Sequence, residues 1–210
     1  MIEFPERTKV GRRLPKEAFY QHVPLTPTLK KKFVSDIEAI YLENSLTAEN
    51  LNLSQETEMK EILFISIRLK TQDFDEKIVE AIAKQNPHPL IFQLIDGQKQ
   101  QLAVYYHKLY RSEWTCAADA RLALDGNTLT IIWENFVRQI AIQPGIVHQQ
   151  RTQPLEEQLK QQEKIDYLQK LIQKTGAAVW KEKQPKKKFA LYTKLQEYKK
   201  KWEELTHGQA

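Results

Sequence analysis

Apolar residues recur at spacings of three and four through Leu29, Phe33, Ile37, Ile40 and Tyr41, which predicts an amphipathic helix over about 27–44, capped by Thr26 with Pro27 in its first turn. Ahead of it, Pro5, Pro15 and Pro24 interrupt regular structure, so residues 1–25 read as an irregular basic arm with one short helical turn between Leu14 and Tyr20. The period then changes. Glu61 to Lys70 begins as a continuous apolar run and ends alternating, which predicts a central strand. Asp73 to Gln85 reads as a short helix with Ile78, Val79, Ile82 and Ala83 inward, stopped by Asn86-Pro87-His88-Pro89. Leu90 to Ile95 is a second strand, Asp96-Gly97 a turn, and Gln101 to His107 a third strand antiparallel to the second. Trp114 and Cys116 continue the sheet as an edge strand. Asn127 caps a helix whose Leu129, Ile132, Trp133, Phe136, Val137 and Ile140 form one broad apolar face.

Strand, helix, strand and hairpin strand in that order make a right-handed crossover followed by a meander. The expected fold class is α/β, of the α+β kind, with a small mixed sheet of about four strands covered by helices over residues 26–143. Pro144-Gly145 and the polar run to Pro154 read as a linker over 144–154, and 155–210 as a basic helical tail. In the tail, Leu155, Leu159, Ile165, Leu168 and Ile172 mark one helix. After a break between Gly176 and Pro185, Leu191, Leu195, Tyr198, Trp202 and Leu205 step by four, three, four and three, a heptad seam. The two segments are expected to form an antiparallel hairpin, or a coiled coil with another protein through Leu191, Leu195, Tyr198 and Trp202.

Composition narrows the function classes. With 28% charged residues and no apolar run near about 18 residues, a membrane-spanning helix is not expected. The stretch Met1 to Arg7 carries acids and no apolar segment, unlike a secretory signal, so a cytoplasmic location is expected. The single cysteine, Cys116, allows no internal disulfide or thiolate zinc cage, and its neighbour Trp114 suggests burial. Charge is zoned: residues 1–35 carry a net +5, residues 36–150 a net −6 and residues 151–210 a net +6. An acidic body with two basic ends can grip a polyanion, because Lys and Arg release counterions condensed on a phosphate backbone.

The densest basic cluster is Lys181, Lys183, Lys186, Lys187 and Lys188, with Trp180 before it and Tyr192 after. Arg12, Arg13, Lys30, Lys31 and Lys32 form the second group of candidate nucleic-acid contacts. Reading of base edges is not suggested, because the tail holds one arginine, Arg151. A solvated helix face and a dock for an acidic partner are the competing readings of both groups. Catalytic signals are sparse. Glu58-Met59-Lys60 has the Glu-x-Lys spacing of metal-dependent nucleases, with Asp36 or Glu38 as the earlier acid, but the match is loose. His22, His88, His107, His148 and His207 show no metal-ligand pairing, and no glycine-rich phosphate loop is present. No catalytic residue, metal or cofactor is therefore expected, and the chain reads as non-enzymatic.

Leu14-Pro15-Lys16 with Phe19-Tyr20, Phe33 with Asp36-Ile37-Glu38, the strand through Ile62 to Leu69, Pro87-His88 before Leu90-Ile91-Phe92, and Trp133 to Ile140 together resemble the bacterial domain of unknown function 4391 family. The resemblance runs across nearly the whole chain. It implies a setting in bacterial restriction or phage-defence clusters, as an accessory companion of a helicase or DNA methyltransferase, and it brings no established catalytic residues. Glu134, Asn135, Arg138 and Gln139, on the most family-like segment, are the polar positions expected to meet such a partner.

Overall fold

The structure is a computed structural model and describes residues 2–17, 19, 25–54, 59–143 and 153–207. Residues 2–14 are docked rather than irregular. A 3-10 turn at Glu6–Thr8 leads into strand β1 (Lys9–Leu14), and Thr8 is buried with its hydroxyl donating to Pro5 O (2.7 Å) and accepting from Asn44 Nδ2 (2.9 Å). Phe4 sets its ring edge-on to Phe64 and Phe136, at centroid distances of 5.2 and 6.0 Å. The expected helix begins as read, with Thr26 Oγ1 accepting from Leu29 N and Pro27 opening α1 (Pro27–Asp36), but it stops at Asp36. Ile37 turns extended and begins β2 (Ile37–Thr47). The helical reading to residue 44 fails because Ile37, Ala39 and Ile40 are all buried along this strand. A register shift between Ile37 and Ala39 brings Ile37 and Ile40 to the same buried face of the strand, and that spacing of three imitates a helix.

After the one-turn helix α2 (Ala48–Leu51), strand β3 (Glu61–Leu69) runs antiparallel to β2, with Ile37 opposite Leu69 and Thr47 opposite Glu61. The chain crosses through α3 (Lys77–Gln85) to β4 (Leu90–Asp96), parallel to β3, and turns at Gly97 into the antiparallel β5 (Lys99–Tyr106). Gly97 sits at φ +57°, the left-handed geometry that glycine adopts without strain. Two short strands, β6 (Lys108–Arg111) and β7 (Thr115–Cys116), pair with opposite ends of β5. The sheet has seven strands among the described residues, in the order β1-β2-β3-β4-β5-β6 with β7 also on β5, against the expected four or so. The additions are edge strands. All residues of β1 but Leu14 are exposed, so it carries no alternation to read, and its Lys9, Arg12 and Arg13 are typical guards of a free sheet edge.

One face of the sheet packs Ile65, Ile67, Leu69, Phe92 and Leu94 against Phe33 of α1 and Ile78, Val79 and Ile82 of α3. On the other face lie Phe4, Phe64 and α4 (Leu129–Ala141), which buries all six predicted apolar residues. Thr128 rather than Asn127 opens α4, its hydroxyl accepting from Ile131 N (3.3 Å). Cys116 is exposed on β7, not buried, because only the edge of β5 supports it.

Contacts divide the chain into two compact units, residues 1–141 and 142–210. The predicted linker falls mostly on 144–152, outside the described residues. The second unit is a pair of helices, α5 (Leu155–Lys181) and α6 (Pro185–His207), packed on each other. Helix α5 passes through Gly176 without a break, because the surrounding turns satisfy its backbone bonds and the real stop is the extended Glu182 before Pro185. A Cβ added at Gly176 meets nothing within 4 Å, so Gly176→Ala is expected to raise stability by about 0.5–1 kcal/mol through the helix entropy recovered, read as a higher denaturation midpoint. No helix among the described residues is long and apolar enough to cross a membrane.

Candidate nucleic-acid interface

Five lysines and three aromatic rings surround the turn between α5 and α6. Helix α5 ends on Lys181, with the N–H of Glu182 donating to Ala178 O (3.0 Å). The Glu182 carboxylate then turns back to accept from Gln184 N (2.9 Å), and Pro185 starts α6, with Lys188 N donating to Gln184 O (2.9 Å). Lys181, Lys183, Lys186, Lys187 and Lys188 are all exposed. The first turn of α6 holds no acid. Three lysines therefore stand where the helix dipole is itself positive, an arrangement that repels its own charges and attracts anions. Trp180, Phe189 and Tyr192 are exposed at the same tip.

The seam of α6 serves the hairpin. Leu195 is buried, and Leu191, Tyr198 and Trp202 are partly buried in the helical unit. Gln161 Nε2 donates to Leu205 O (3.4 Å), and counting from that bond to the turn places Leu195 opposite Leu171 and Tyr198 opposite Leu168. Packing of α5 on α6 accounts for the burial of Leu195, because an amphipathic helix with a neighbour of matching length covers its apolar stripe there first.

The body places its candidate cations separately. Arg12 and Arg13 are adjacent on β1 and project to opposite faces, as successive strand residues do, with Arg13 opposite Tyr41 and Arg12 opposite Leu42. They make no joint patch. Lys30 and Lys31 are exposed on α1, whereas Lys32 pairs with Asp75 (3.1 Å). Burial raises the Asp75 pKa, but the bond from Lys32, the bond from Lys77 N–H and the charges of both lysines outweigh it and hold the carboxyl below the usual carboxylate range. A depressed carboxylate stabilises the fold above its unfolded pKa, and that contribution disappears as pH falls through the lower, folded value. Asp75→Asn is accordingly expected to cost on the order of 1 kcal/mol near neutral pH and nothing in strong acid, read from denaturation midpoints across pH.

The pattern along the chain missed Lys16 and Lys70. Burial lowers the Lys16 pKa, and the charges of Lys70 and Arg13 lower it further, so Lys70 joins two cations more than 50 residues earlier in the chain. Lys16 Nζ donates to Ile37 O and Lys70 Nζ to Val34 O (3.0 Å). Local sequence brings Arg13 and Lys16 together, and the pairing of β1, β2 and β3 adds Lys70.

Of Glu134, Asn135, Arg138 and Gln139, the two amides Asn135 and Gln139 hold a loop. Gln139 grips Ala123 through both backbone groups, accepting from its N–H (2.7 Å) and donating to its carbonyl (2.9 Å), while Asn135 Nδ2 donates to Asp125 O (2.9 Å). Arg138 bonds Glu134 and Asn135, each at 3.0 Å. The irregular segment before α4 lacks a ladder for its backbone groups, and the two amides supply it. Gln139→Ala is expected to cost about 1 kcal/mol and to speed hydrogen exchange at the Ala123 amide.

Among the described residues, the acids of the nuclease reading do not converge on Lys60. Glu58 lies outside the described residues, but Asp36 and Glu38 are not the acids of a site with Lys60. Asp36 O accepts from Lys70 N (2.8 Å), at the end of β3 remote from Lys60, roughly 30 Å away at about 3.3 Å per residue. Glu61 lies between Ser45, whose hydroxyl it accepts, and His88 Nε2 at 3.6 Å. Ser66, buried in β3, donates to Glu43 (2.5 Å). No group of three or more potential metal ligands occurs among the described residues.

Against known families, the model described as Domain of unknown function (DUF4391) matches residues 2–201. The chain belongs to the DUF4391 family. The match runs through both compact units, so the helical pair with its lysine tip is as much a part of DUF4391 as the sheet. No curated protein and no solved structure matches the chain.

Proposed function

We propose that this DUF4391 protein is a non-enzymatic accessory subunit of a bacterial DNA-processing system, of the restriction or phage-defence kind, that engages nucleic acid through the tip of its helical pair. The observation that carries this reading is the run of five exposed lysines around one turn, three of them at a helix start with no acid. Point charges so placed neutralise phosphates and read no sequence. The companion is a helicase or DNA methyltransferase, as the family resemblance implies.

Two measurements test the two halves. Fluorescence anisotropy of the purified protein with labelled nucleic acid is expected to show binding that weakens steeply with salt, and absence of binding at low salt sinks the nucleic-acid half. Tagged protein isolated from its native cell, with and without nuclease treatment, is expected to retain a helicase or methyltransferase in both cases. Loss of every bound protein with the nucleic acid contradicts the subunit half.

A further inference from the structure

We infer that the tip takes single-stranded rather than duplex nucleic acid, an inference that rests on the nucleic-acid reading above. Lysines alone serve a duplex. The tip also holds three rings in water, with Trp180 at 88%, Phe189 at 73% and Tyr192 at 50% exposure. Elsewhere among the described residues one large ring, Tyr167, is exposed to a similar degree at 63%, while Phe33, Phe92 and Phe136 are each at 0%. Rings concentrated beside the densest positive charge need a partner that is both anionic and flat-faced. A duplex offers phosphates outside and keeps its base faces stacked within, so rings approaching it find nothing to stack on. Unpaired bases offer both surfaces, and aromatic platforms among cations are the usual means of holding them.

The sequence order suits this occupant. Phe189 and Tyr192, three apart on α6, share one face, and Lys186 and Lys188 lie three and four residues from them on the same turns. Trp180 stands in the last turn of α5, next to Lys181. Cation and ring alternate along a short path over the turn, so a strand laid across it meets phosphate contacts and stacking faces in succession. Because every base has a flat face, such a grip is indifferent to sequence, in keeping with the absence of arginine at the tip.

The test uses the whole protein with labelled oligothymidylate, labelled oligouridylate and a mixed-sequence duplex of equal length, at one salt concentration. Wild type is expected to bind the single strands at least about 10-fold more tightly than the duplex. Trp180→Ala and Phe189→Ala, at exposed positions, are each expected to lower single-strand affinity by about 5- to 100-fold while leaving the weak duplex binding within about twofold. Trp180→Phe restores most of the loss, which a merely charged grip does not predict. Comparing the two single strands assigns the occupant to DNA or to RNA. Equal affinity for duplex and single strand, or ring variants that bind single strands like wild type, overturns the inference and leaves the lysine grip standing. Failure of wild type to bind any of the three overturns both.

Discussion

Replacing Lys181, Lys183, Lys186, Lys187 and Lys188 together with glutamine is expected to reduce nucleic-acid affinity by two or more orders of magnitude near physiological salt. If all five contact phosphates, log affinity falls against log salt with a slope of about −3.5 on single strands and about −4.5 on duplex, and a rise from about 50 to about 200 mM salt weakens single-strand binding about 100-fold. The substituted protein should show almost no slope. Helix content should hold, since all five side chains are exposed and three of them oppose the dipole of α6. Lowering the net charge has its own effect, so the informative control removes charge elsewhere. Lys77, Lys99 and Lys108 are exposed on the body, and their joint change to glutamine removes as much charge as the change of Lys186, Lys187 and Lys188. Only the second triple is expected to flatten the salt dependence.

The second large effect concerns folding. Phe136→Ala is expected to destabilise the body by about 3–5 kcal/mol, measured by urea denaturation. Phe136 is fully buried on the inner side of α4, and Phe4 stacks edge-on to it while also meeting Phe64 of β3. Deleting the ring opens a cavity among three elements distant in sequence and removes the aromatic edge contact. A loss of that size is a large fraction of the stability of a typical domain, about 5–15 kcal/mol. Phe4→Ala should cost less, because Phe4 is only partly buried, and should loosen the N-terminal segment first. A midpoint for Phe136→Ala equal to that of wild type would place the ring outside the core.

Features carried by contiguous residues were legible in the sequence. The β3–α3–β4 crossover, the hairpin at Gly97, the apolar face of α4 and the lysine tip all follow from short windows of chain. Features decided by pairing were not. Ile37 and Ile40 share one buried face because the ladder shifts register between Ile37 and Ala39, so the strand looked like one more turn of helix, and only its pairing with β3 distinguishes the two. Strand β1 has no buried face to produce a pattern, and residues 2–8 are held by Phe4 and Thr8, which look unremarkable in an arm rich in proline. The same limit applies to the candidate site. Lys70 reaches Lys16 and Arg13 only because the sheet folds. Asn135 and Gln139 looked free because the segment they hold, around Ala123 to Asp125, has no periodicity to announce that its backbone needs partners. Exposure supplied what spacing did not at Trp180, Phe189 and Tyr192, whose positions alone suit a seam as readily as a binding face.

The central claim is that the tip of the helical pair grips a phosphate backbone, and a salt titration of nucleic-acid binding by wild type and by the five-lysine variant tests it most directly. The account predicts a steep linear fall for wild type and a nearly flat, weak response for the variant. Parallel lines of equal slope would contradict it, because the counterions released on binding would then come from lysines and arginines elsewhere on the chain.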